Sequence, residues 1–459
     1  MTNLLQKNIF KAYDIRGIVG DALTEGIVSL IGQSIGSEAN DQKQTSICVG
    51  YDGRLSSPDL CDALTRGLLS TGIDVINIGL VTTPMLYFST HELKTNTGIM
   101  ITGSHNPPEY NGFKIVINKK TLTSEQIQKL YKRIIDGKFS KGNGKLTSKK
   151  IQSQYLTKIY EGINLKRPMK VTIDCGNGAA GVCAEELFKG LNLEVEMLFS
   201  EVDGRFPNHH PDPSNPSNLI DLQKNLARTD SEIGLAFDGD ADRLGVVTKS
   251  GEIIYPDRQL LLFSEWVLKE NPGATVIFDV KSTRHLFKWI LDKGGIPLIW
   301  KTGHSLIKAK MKETNAILAG EMSGHTFFCD KWYGFDDGLY AGARLLEILS
   351  HFDDPSSVLE GLPKGFSTPE LNIMLAEGEQ HALIRTMQDN AIFPKALEII
   401  KIDGLRVEYE DGFGLMRASN TTPVIVLRFE ANTAADLGVI QDEFRSVLEM
   451  HVDQDNIPF

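Results

Sequence analysis

The amino-acid sequence predicts an α/β protein with three tandem α/β domains, whose sheets are mixed and mainly parallel, and a C-terminal α+β domain. Two observations support this prediction. Strand-like and helix-like stretches alternate over most of the 459 residues, and the alternation begins anew three times with a similar composition. The last part of the chain differs, because strand-like runs follow one another there without an intervening helix. Alternation indicates parallel sheets covered by helices, whereas consecutive strands indicate an antiparallel sheet.

The composition is that of a folded protein of several domains, with 41% hydrophobic and 23% charged residues. The formal net charge of −11 disfavours binding to nucleic acid or to an anionic membrane surface. The five cysteines are odd in number and form no CxxC pair, so neither a disulfide framework nor a zinc site is indicated. Because no apolar run suits a signal peptide or a membrane span, we expect a cytoplasmic protein.

Each repeat opens with a short run rich in β-branched residues that ends in turn-forming residues. These opening runs are residues 46–54, 170–178 and 274–282. A helix-like stretch follows each of them, over 58–72, 180–191 and 282–294. A second apolar run comes next, over 73–79, 193–199 and 296–300. A third apolar run lies within 97–107, 231–243 and 315–325.

The third run of each repeat leads into a loop of unusual composition. Ligands of open α/β sheets bind where loops leave the carboxyl ends of strands, so the three loops are predicted to be functional. A weaker interpretation is that the repeats share only the general alternation of strands and helices, and their likeness then carries no functional meaning.

Three segments suggest where the domains meet. They are the polar stretch 140–150, the segment 251–257 after the last strand of the second repeat, and the Pro- and Gly-containing segment 362–370. We therefore predict domains over 1–150, 151–254, 255–364 and 365–459. The last domain is predicted to contain three strands within 400–432 and a helix over 436–450.

The first functional loop, TGSHNPP, places Ser104 on a bend between Gly103 and two prolines that prevent a helix. One interpretation is an ordinary turn, and another is a bend that presents the Ser104 hydroxyl to a ligand. A hydrolase nucleophile fits poorly, because His105 is a neighbour in sequence only and the GxSxG elbow is absent, with Asn106 where the motif requires its second glycine.

The second functional loop, DGDADR, carries Asp238, Asp240 and Asp242 between small residues. In an extended segment these side chains point the same way, and their mutual repulsion favours a bound cation. Hard oxygen ligands select Mg²⁺, Mn²⁺ or Ca²⁺. An EF-hand is excluded because Arg243 and Lys249 occupy the positions of its glycine and glutamate. A solvated acidic turn is the alternative, although apolar runs flank the loop on both sides.

Two further loops carry groups that suit a phosphosugar. Residues 417–423, RASNTTP, offer a guanidinium, hydroxyls and an amide, which together suit a phosphate. The same residues also suit a polar hairpin turn. Residues 320–325, GEMSGH, offer Glu321 and Ser323 on a glycine-rich turn that could bind sugar hydroxyls or simply be exposed. Residues 301–304, KTGH, add a second histidine, and His304 and His325 are each candidates for proton transfer as well as for a structural role.

Five motifs together resemble the α-D-phosphohexomutase family, and more closely its bacterial phosphomannomutase/phosphoglucomutase branch. They are KAYDIRG (11–17), TGSHNPPEYNGFK (102–114), DGDADR (238–243), GEMSGH (320–325) and RASNTTP (417–423), in the order that the family has. The methionine in GEMSGH resembles the phosphomannose and phosphoglucose type, since the phosphoglucosamine mutases usually have glutamine there. The resemblance covers essentially the whole chain and implies four domains arranged as a heart around a central cleft.

The resemblance also implies roles for individual residues. Ser104 would be the phosphoserine and, with Asp238, Asp240 and Asp242, would bind Mg²⁺. The other implied catalytic residues are Arg16, His105, Lys114, Arg243, His304 and His325. The implied substrate-binding residues are Tyr13, Lys281, Thr302, Gly303, His304, Glu321, Met322, Ser323, Gly324, His325, Arg417, Ser419, Asn420, Thr421 and Thr422.

The implied reaction interconverts hexose 6-phosphate and hexose 1-phosphate, with mannose or glucose as the sugar. It runs through the phosphoserine and a hexose 1,6-bisphosphate, which is both the intermediate and the activator. The implied partner is the phosphohexose alone, without nucleic acid or membrane, and we expect a monomer. The alternatives are a phosphoglucosamine mutase, a mutase narrow for one hexose, a phosphosugar-binding protein without turnover and a metal-dependent phosphatase.

Overall fold

A computed structural model describes residues 5–376, 378–420 and 422–459. The first sheet contains seven strands: β1 (Ile15–Ile18), β2 (Ser46–Tyr51), β3 (Asp74–Leu80), β4 (Gly98–Ile101), β5 (Tyr110–Ile117), β6 (Lys120–Thr121) and β7 (Leu146–Ser148). Its helices are α1 (Glu25–Asp41), α2 (Ser57–Leu69), α3 (Thr83–Glu92) and α4 (Ser124–Asp136). Helix α5 (Gln152–Gly162) leads to the second sheet.

The second sheet contains β8 (Lys170–Asp174), β9 (Glu194–Leu198), β10 (Ile233–Phe237), β11 (Leu244–Thr248) and β12 (Ile253–Ile254). Its helices are α6 (Ala184–Gly190) and α7 (Ile220–Arg228). Helix α8 (Pro256–Glu270) precedes the third sheet, which contains β13 (Thr275–Asp279), β14 (Ile296–Trp300), β15 (Leu318–Gly320) and β16 (Thr326–Phe328). The remaining helices of this part are α9 (His285–Asp292), α10 (His304–Thr314), α11 (Gly338–Leu349) and α12 (Pro355–Glu360).

The fourth sheet is antiparallel and contains β17 (Phe366–Ser367), β18 (Leu371–Met374), β19 (Glu398–Ile400), β20 (Leu405–Glu408), β21 (Gly412–Ala418) and β22 (Val424–Ala431). Helices α13 (Glu379–Asn390) and α14 (Ala434–Leu448) accompany it. The predicted fold class is therefore confirmed: three units with mixed sheets precede one α+β unit. In the described part of the chain, no helix has both the length and the apolarity needed to cross a membrane.

The first three sheets share one strand plan. In each, the first strand of the repeat has the second strand parallel on one side and the third strand parallel on the other, in the orders β3-β2-β4, β9-β8-β10 and β14-β13-β15. An antiparallel strand, β5, β11 or β16, then pairs with the third strand. The loop between the third strand and its antiparallel partner thus lies at the same place in all three sheets. These are the loops that the sequence predicts to be functional.

Two of the segments assigned to domain junctions are more structured than their composition predicts. Residues Leu146–Ser148 of the polar stretch form β7, which pairs in parallel with β3 at the sheet edge. Ile253 and Ile254 form β12 and pair with β11, and α8 begins directly afterwards at Pro256. The domain boundaries themselves stay predictions.

Local sequence explains where several of these helices begin and end. Thr123 and Gln126 form a capping box at the start of α4, and Gly137, with a left-handed backbone, ends it. The Asp337 side chain accepts the Tyr340 amide at the start of α11. Helix α11 is buried along its whole length in a core that the second and third sheets share, whereas the last domain has a separate core. Two of the functional loops, those after β10 and β15, therefore leave sheets that share one core.

Candidate active site

Ser104 lies in the loop between β4 and β5 with 1% of its surface exposed. Its φ of 47° is in the left-handed region that residues other than glycine rarely adopt. The Ser104 hydroxyl donates to Asp238 Oδ2 at 2.9 Å, and His105 Nδ1 lies 3.2 Å from the same hydroxyl. The serine therefore faces the acidic loop that follows β10, in the neighbouring domain.

The three aspartates of that acidic loop are completely buried. Each offers one carboxylate oxygen, and these oxygens all lie within 4.8 Å of one another. Burial, followed by the charges of Asp240 and Asp242, raises the pKa of Asp238 well above its ordinary value. Oδ1 of Asp240 and Oδ1 of Asp242 have no hydrogen-bond partner among the described residues. Buried, unpartnered carboxylate oxygens fit a divalent cation, and an all-oxygen set suits Mg²⁺.

A second group of possible ligands, Asp242, His325 and Asp336, lies beside the first. Cations already occupy the surroundings of this second group. Lys308 pairs with Asp336 at 2.7 Å, Lys114 pairs with Asp242, and Arg243 Nε lies 3.3 Å from His325 Nε2. Lys114 and Arg243 border the three aspartates as well, but the second group also has Lys308 beside it and contains His325, whose pKa is raised, so a dication there would face two further cations. The three aspartates, an all-oxygen set, are therefore the better candidate metal site.

Lys114 on β5 joins the first domain to the acidic loop. Its ammonium donates to Asp240 Oδ2 at 2.7 Å and also to Asp242. Burial alone would lower the pKa of Lys114, but the carboxylates of Asp240 and Asp242 outweigh burial and raise it. Thr83 at the start of α3 makes a second link, because its hydroxyl donates to Asp240 Oδ2 at 2.6 Å. The Ser104 loop and the acidic loop thus have a fixed relative position.

Arg16 is the remaining predicted catalytic cation of the first domain. It lies on β1, which pairs with β5 next to the Ser104 loop. Its guanidinium donates to Asn106 Oδ1 and to Asp14 Oδ2, both at 2.5 Å. Since Asn106 follows Ser104 by two residues, Arg16 borders the space into which the serine loop opens.

The glycine-rich loop after β15 meets the acidic loop through His325. Its Nε2 lies 3.4 Å from Asp242 Oδ1, and its Nδ1 lies 3.2 Å from Glu321 Oε2. The Ser323 hydroxyl is 3.0 Å from the same Nδ1. Burial alone would lower the pKa of His325, but the Asp242 charge and the hydrogen bonds to Asp242 and Glu321 together outweigh burial and raise the pKa to about 9. His325 therefore contacts both loops.

Backbone geometry shapes this third loop. Gly324 has φ 104°, a conformation that suits glycine, and its amide donates to the Glu321 carbonyl at 3.0 Å. The Met322 amide donates to Asp279 Oδ1 at 3.3 Å, which ties the loop to the end of β13. Glu321 Oε1 accepts the Gly303 amide at 2.5 Å and so joins the loop to the segment before α10.

His304, at the start of α10, stacks beside His325 with ring centroids 5.6 Å apart. Its Nδ1 lies 3.4 Å from Asp336 Oδ2. Burial and the charge of Lys308 lower the pKa of His304. Lys308 and Asp336, which the sequence does not single out, therefore determine the environment of a predicted site residue.

Tyr13 links the first domain to the third and fourth. Its hydroxyl donates to the Thr302 carbonyl at 2.9 Å and accepts from the Asn420 amide. Gly303 has φ 135°, and a Cβ there would meet Tyr13 Cζ at 2.6 Å. These contacts bring residues predicted from three separate motifs to one place.

The loop after β21 contains the predicted phosphate-binding residues. Arg417 is buried and its Nε donates to Asp403 Oδ2 at 3.0 Å. Asp403 Oδ2 also accepts the Thr302 amide at 3.0 Å, so Arg417 and Thr302 share a partner. The hydroxyls of Ser419 and Thr422 lie 2.9 Å apart. Thr421 lies outside the described residues.

Lys281, between β13 and α9, has its ammonium 2.5 Å from Glu370 Oε1. Glu370 directly precedes β18, so this ion pair joins the third domain to the fourth. The sequence gives no signal for Glu370, Asp403, Asp336, Lys308 or Thr83 as site residues. Each is a charged or polar residue that belongs to no sequence motif. Only folding brings it into contact with its partner.

Comparisons with known proteins agree with this arrangement. Family profiles for phosphoglucomutase/phosphomannomutase match the chain in order: alpha/beta/alpha domain I over residues 7–141, domain II over 153–251, domain III over 255–366 and the C-terminal domain over 370–447. A Neisseria meningitidis phosphoglucomutase is 57% identical over 97% of both chains. A Pseudomonas aeruginosa phosphomannomutase/phosphoglucomutase is 51% identical over 99% of this chain and 98% of its own.

A solved structure has the same fold over the whole length. The phosphoglucomutase/phosphomannomutase family protein of Burkholderia thailandensis matches with a TM-score of 0.95 and 53% identity, over 99% of this chain and 100% of that one. The four units and their loops therefore follow an arrangement that this group of proteins shares.

Proposed function

The chain belongs to the α-D-phosphohexomutase family and is an enzyme of the phosphoglucomutase/phosphomannomutase type, and we propose that it interconverts the 6- and 1-phosphates of glucose or mannose through a phosphoserine at Ser104. The observation that carries this proposal is the buried Ser104 hydroxyl, 2.9 Å from Asp238 Oδ2 and opposite three clustered aspartates. A phosphoryl group on this hydroxyl would lie beside the candidate metal site and beside Lys114 and Arg243.

In the first half-reaction, a free hydroxyl of the hexose monophosphate attacks the phosphorus of the phosphoserine. The bond from phosphorus to the sugar oxygen forms, the bond to Ser104 Oγ breaks, and the sugar hydroxyl gives up its proton as Oγ gains one. Arg16, Lys114 and Arg243 offset the charge that spreads over the phosphoryl oxygens. The Asp238, Asp240 and Asp242 carboxylates would hold Mg²⁺, which when bound withdraws further charge from those oxygens.

The proton that leaves the sugar hydroxyl needs an acceptor near both loops. His325 contacts Asp242 on one side and Glu321 on the other, so it meets this requirement better than His304, which pairs with Asp336. We therefore propose that His325 exchanges this proton with the sugar oxygen and that His304 orients the site. Because the pKa of His325 is raised to about 9, its cationic form suits the proton donor when the phosphoryl group leaves the sugar for Ser104, and acceptance in the first half-reaction needs its neutral form.

The other end of the substrate needs a site for the phosphate that is not being transferred. Arg417, Ser419, Asn420 and Thr422 supply a guanidinium, hydroxyls and an amide, and Lys281 adds a second cation. Glu321 and Ser323 would accept and donate hydrogen bonds to sugar hydroxyls between the two phosphate positions. The resulting hexose 1,6-bisphosphate must turn around and return its other phosphoryl group to Ser104, and the same compound activates unphosphorylated enzyme.

The decisive experiment measures the mass of the intact protein before and after treatment with glucose 1,6-bisphosphate. We expect a gain of about 80 Da, the mass of one phosphoryl group, in the natural protein and none in Ser104→Ala. Mutase activity should disappear in the same variant. Full bisphosphate-activated activity of Ser104→Ala would overturn the phosphoserine mechanism, and net release of phosphate at the rate of turnover would indicate a phosphatase.

Substrate preference and the remaining expectations need separate measurements. Coupled assays with mannose 1-, glucose 1- and glucosamine 1-phosphate would separate a phosphomannomutase/phosphoglucomutase from a phosphoglucosamine mutase. We also propose a cytoplasmic monomer without nucleic-acid or membrane partners. The negative net charge and the five free thiols support this proposal, and sedimentation together with cell fractionation would test it.

A further inference from the structure

Arg54, directly after the first strand of the first repeat, extends its side chain into the back of the Ser104 loop. It is 1% exposed. One terminal nitrogen donates to the Pro107 carbonyl at 2.6 Å and to the Tyr110 carbonyl at 2.9 Å. The other donates to the Ser104 carbonyl at 2.7 Å and to the Asn106 carbonyl at 2.5 Å. A single guanidinium therefore binds four backbone carbonyls of the loop that carries the reacting serine.

The loop needs such support because its backbone conformation is unfavourable in isolation. The left-handed φ of Ser104 costs roughly 1–2 kcal/mol for a residue with a side chain. Gly103 allows close approach, since a Cβ there would lie 2.4 Å from Arg54 Cζ. Carbonyls that point inward toward one cation are oriented by it, and the rest of the loop, including the Ser104 hydroxyl, must face the opposite way, toward Asp238.

Two neighbours hold Arg54 itself. Asp52 Oδ2 lies 3.3 Å from Arg54 Nε and also accepts the Gly103 amide at 3.2 Å. The ring of Phe206, from the second domain, lies 5.2 Å from the guanidinium carbon. The cation is therefore fixed from its own domain by a carboxylate and from the neighbouring domain by an aromatic face.

We propose that Arg54 is a positioning residue for phosphoryl transfer, which fixes the Ser104 loop so that the phosphoserine meets the sugar hydroxyl and not water. This inference rests on the proposed function. Arg54 touches only backbone carbonyls of the loop, not the hydroxyl, and acts through the position of Ser104.

The competing reaction that Arg54 suppresses is hydrolysis. In that reaction a water oxygen replaces the sugar oxygen as the attacking atom, the bond from phosphorus to Ser104 Oγ breaks, and the products are free serine and inorganic phosphate. One proton of the water passes to Oγ. A loop that has lost its fixed position would reduce transfer to the sugar, which requires alignment of two bound groups, more than it reduces attack by mobile water.

The test compares Arg54→Lys with Arg258→Lys as a matched control. Arg258 is also buried and also donates to backbone carbonyls, those of Leu359 and Leu362, but in a segment away from the Ser104 loop. Lysine keeps the charge and loses the planar fork that reaches several carbonyls at once. We expect Arg54→Lys to lower kcat about 100-fold with KM changed less than about threefold, because a misplacement of about 1 Å costs that much.

The second measurement is the ratio of inorganic phosphate released to sugar isomerised. A general loss of stability would lower both rates and leave this ratio unchanged. We expect the ratio of inorganic phosphate to isomerised sugar to rise at least about tenfold in Arg54→Lys and to stay at its natural value in Arg258→Lys. Equal kcat and equal partition in the two variants would overturn the inference. If the natural protein itself takes up no phosphoryl group from glucose 1,6-bisphosphate, the proposed function fails instead.

Phe206→Leu keeps the experiment decisive if Arg54→Lys does not fold. This variant leaves all four carbonyl contacts of Arg54 and removes only the aromatic face that holds the guanidinium. We expect a kcat about three- to tenfold lower, from the loss of one partly buried cation–π contact, with a smaller shift of the same partition ratio. Unchanged kcat and partition in Phe206→Leu would contradict the proposed role of Arg54.

Discussion

The first and third sheets each have a cation shortly after the end of the central strand, and the two cations bind different partners. In both, an aspartate at the end of the central strand accepts an amide from the functional loop on the next strand: Asp52 from Gly103, and Asp279 from Met322. Two residues after the aspartate comes a long cation, Arg54 in one sheet and Lys281 in the other. Arg54 folds back onto its own loop, whereas Lys281 reaches Glu370 at the start of the last domain.

The difference follows from what each loop has to do in the proposed reaction. The Ser104 loop carries the reacting group and needs one fixed position, which a guanidinium bound to four carbonyls provides. The loop with Glu321 and Ser323 holds the sugar and must accept it in two orientations, and its neighbouring cation, Lys281, points away from that loop to Glu370 at the cleft. Changes at Ser104 and Arg54 in the first sheet should therefore affect kcat, and changes at Ser323 and Lys281 in the third, which hold the substrate in the proposed reaction, should affect KM.

The largest expected effect comes from removing one hydroxyl in each loop. Ser104→Ala removes the phosphoryl acceptor and should lower kcat by about 10⁴-fold or more. Ser323→Ala removes one hydrogen bond to the sugar and should raise KM about tenfold with little change in kcat. Steady-state kinetics with glucose 1-phosphate and the bisphosphate activator measures both. A loss of kcat in Ser323→Ala as large as that in Ser104→Ala would remove the distinction between the two loops.

Metal removal should distinguish the role of the Ser104 loop in catalysis from the role of the Glu321 and Ser323 loop in binding. Chelation by EDTA is expected to lower kcat by about 10²- to 10³-fold, as the loss of one strong electrostatic contact does, and added Mg²⁺ should restore it. Calorimetric titration of Ser104→Ala with glucose 6-phosphate, with and without EDTA, gives the reading on binding. Its Kd should change less than about threefold, since the phosphate and sugar loops contain no metal ligand. Loss of phosphosugar binding in EDTA would instead place the metal in the substrate site.

The two strand-end aspartates should respond differently to the substitution Asp→Asn. Each carboxylate oxygen of Asp52 accepts a backbone N–H group, Oδ1 from Arg54 and Oδ2 from Gly103. In Asp52→Asn the side-chain NH₂ replaces one of these oxygens in either orientation, and two donors then face each other. Asp279 accepts hydroxyls from Ser282 and Thr302 as well as one amide, and the Thr302 hydroxyl can turn to accept. We expect Asp52→Asn to lower the free energy of unfolding by about 3 kcal/mol and Asp279→Asn by less than about 1 kcal/mol.

Asp279 also predicts a dependence of the free energy of unfolding on pH. Burial, partly offset by Lys281, raises the pKa of Asp279 above its ordinary value. A raised carboxyl pKa means that stability is complete below the ordinary pKa and falls as the pH rises through the raised value. Asparagine does not ionise and loses no stability in this way. The free energy of unfolding of Asp279→Asn, relative to that of the natural protein, should therefore increase between about pH 4.5 and about pH 7.5. Urea unfolding at both pH values measures it, and a shift in the opposite direction would contradict the assignment.

Most of the fold could be predicted from the sequence because its signals are local. Apolar strand runs, helix periodicity and glycine-ended helices recur in each repeat, and they predicted three strands per repeat, mainly parallel pairing and the loops at 102–107, 238–243 and 320–325. The strand order and the antiparallel partner of each third strand were not predicted. Strand β7 was missed because it is three residues long and fully exposed, so burial imposes no pattern on it. Strand β12 was missed for a similar reason, since it has only two residues.

The site could be predicted only where its residues stand in motifs. The sequence brought forward Ser104 and the three aspartates, and the structure brings these four together. Arg54 was passed over because GYDGR looks like the end of a strand, and nothing in it shows that the side chain reaches carbonyls about fifty residues further on. The pair of Lys308 with Asp336, within the third domain, and the pair of Lys281 with Glu370, between the third and the fourth, were missed for the same reason, because an ion pair between residues far apart in sequence has no fixed spacing.

The smallest expected effect tests the other half of the comparison, the cation of the third sheet. Lys281→Met removes the ammonium but keeps the length and apolar stem of the side chain, and Glu370 is exposed enough on one side to be hydrated when its partner is gone. We expect KM for glucose 1-phosphate to rise about tenfold, which is the loss of roughly 1.4 kcal/mol of binding, while kcat changes less than about threefold. Glu370→Gln is the matched control, because it breaks the same ion pair and leaves the Lys281 charge in the cleft. If Glu370→Gln raises KM as much as Lys281→Met does, the ion pair serves to hold the last domain in place and Lys281 does not bind the substrate.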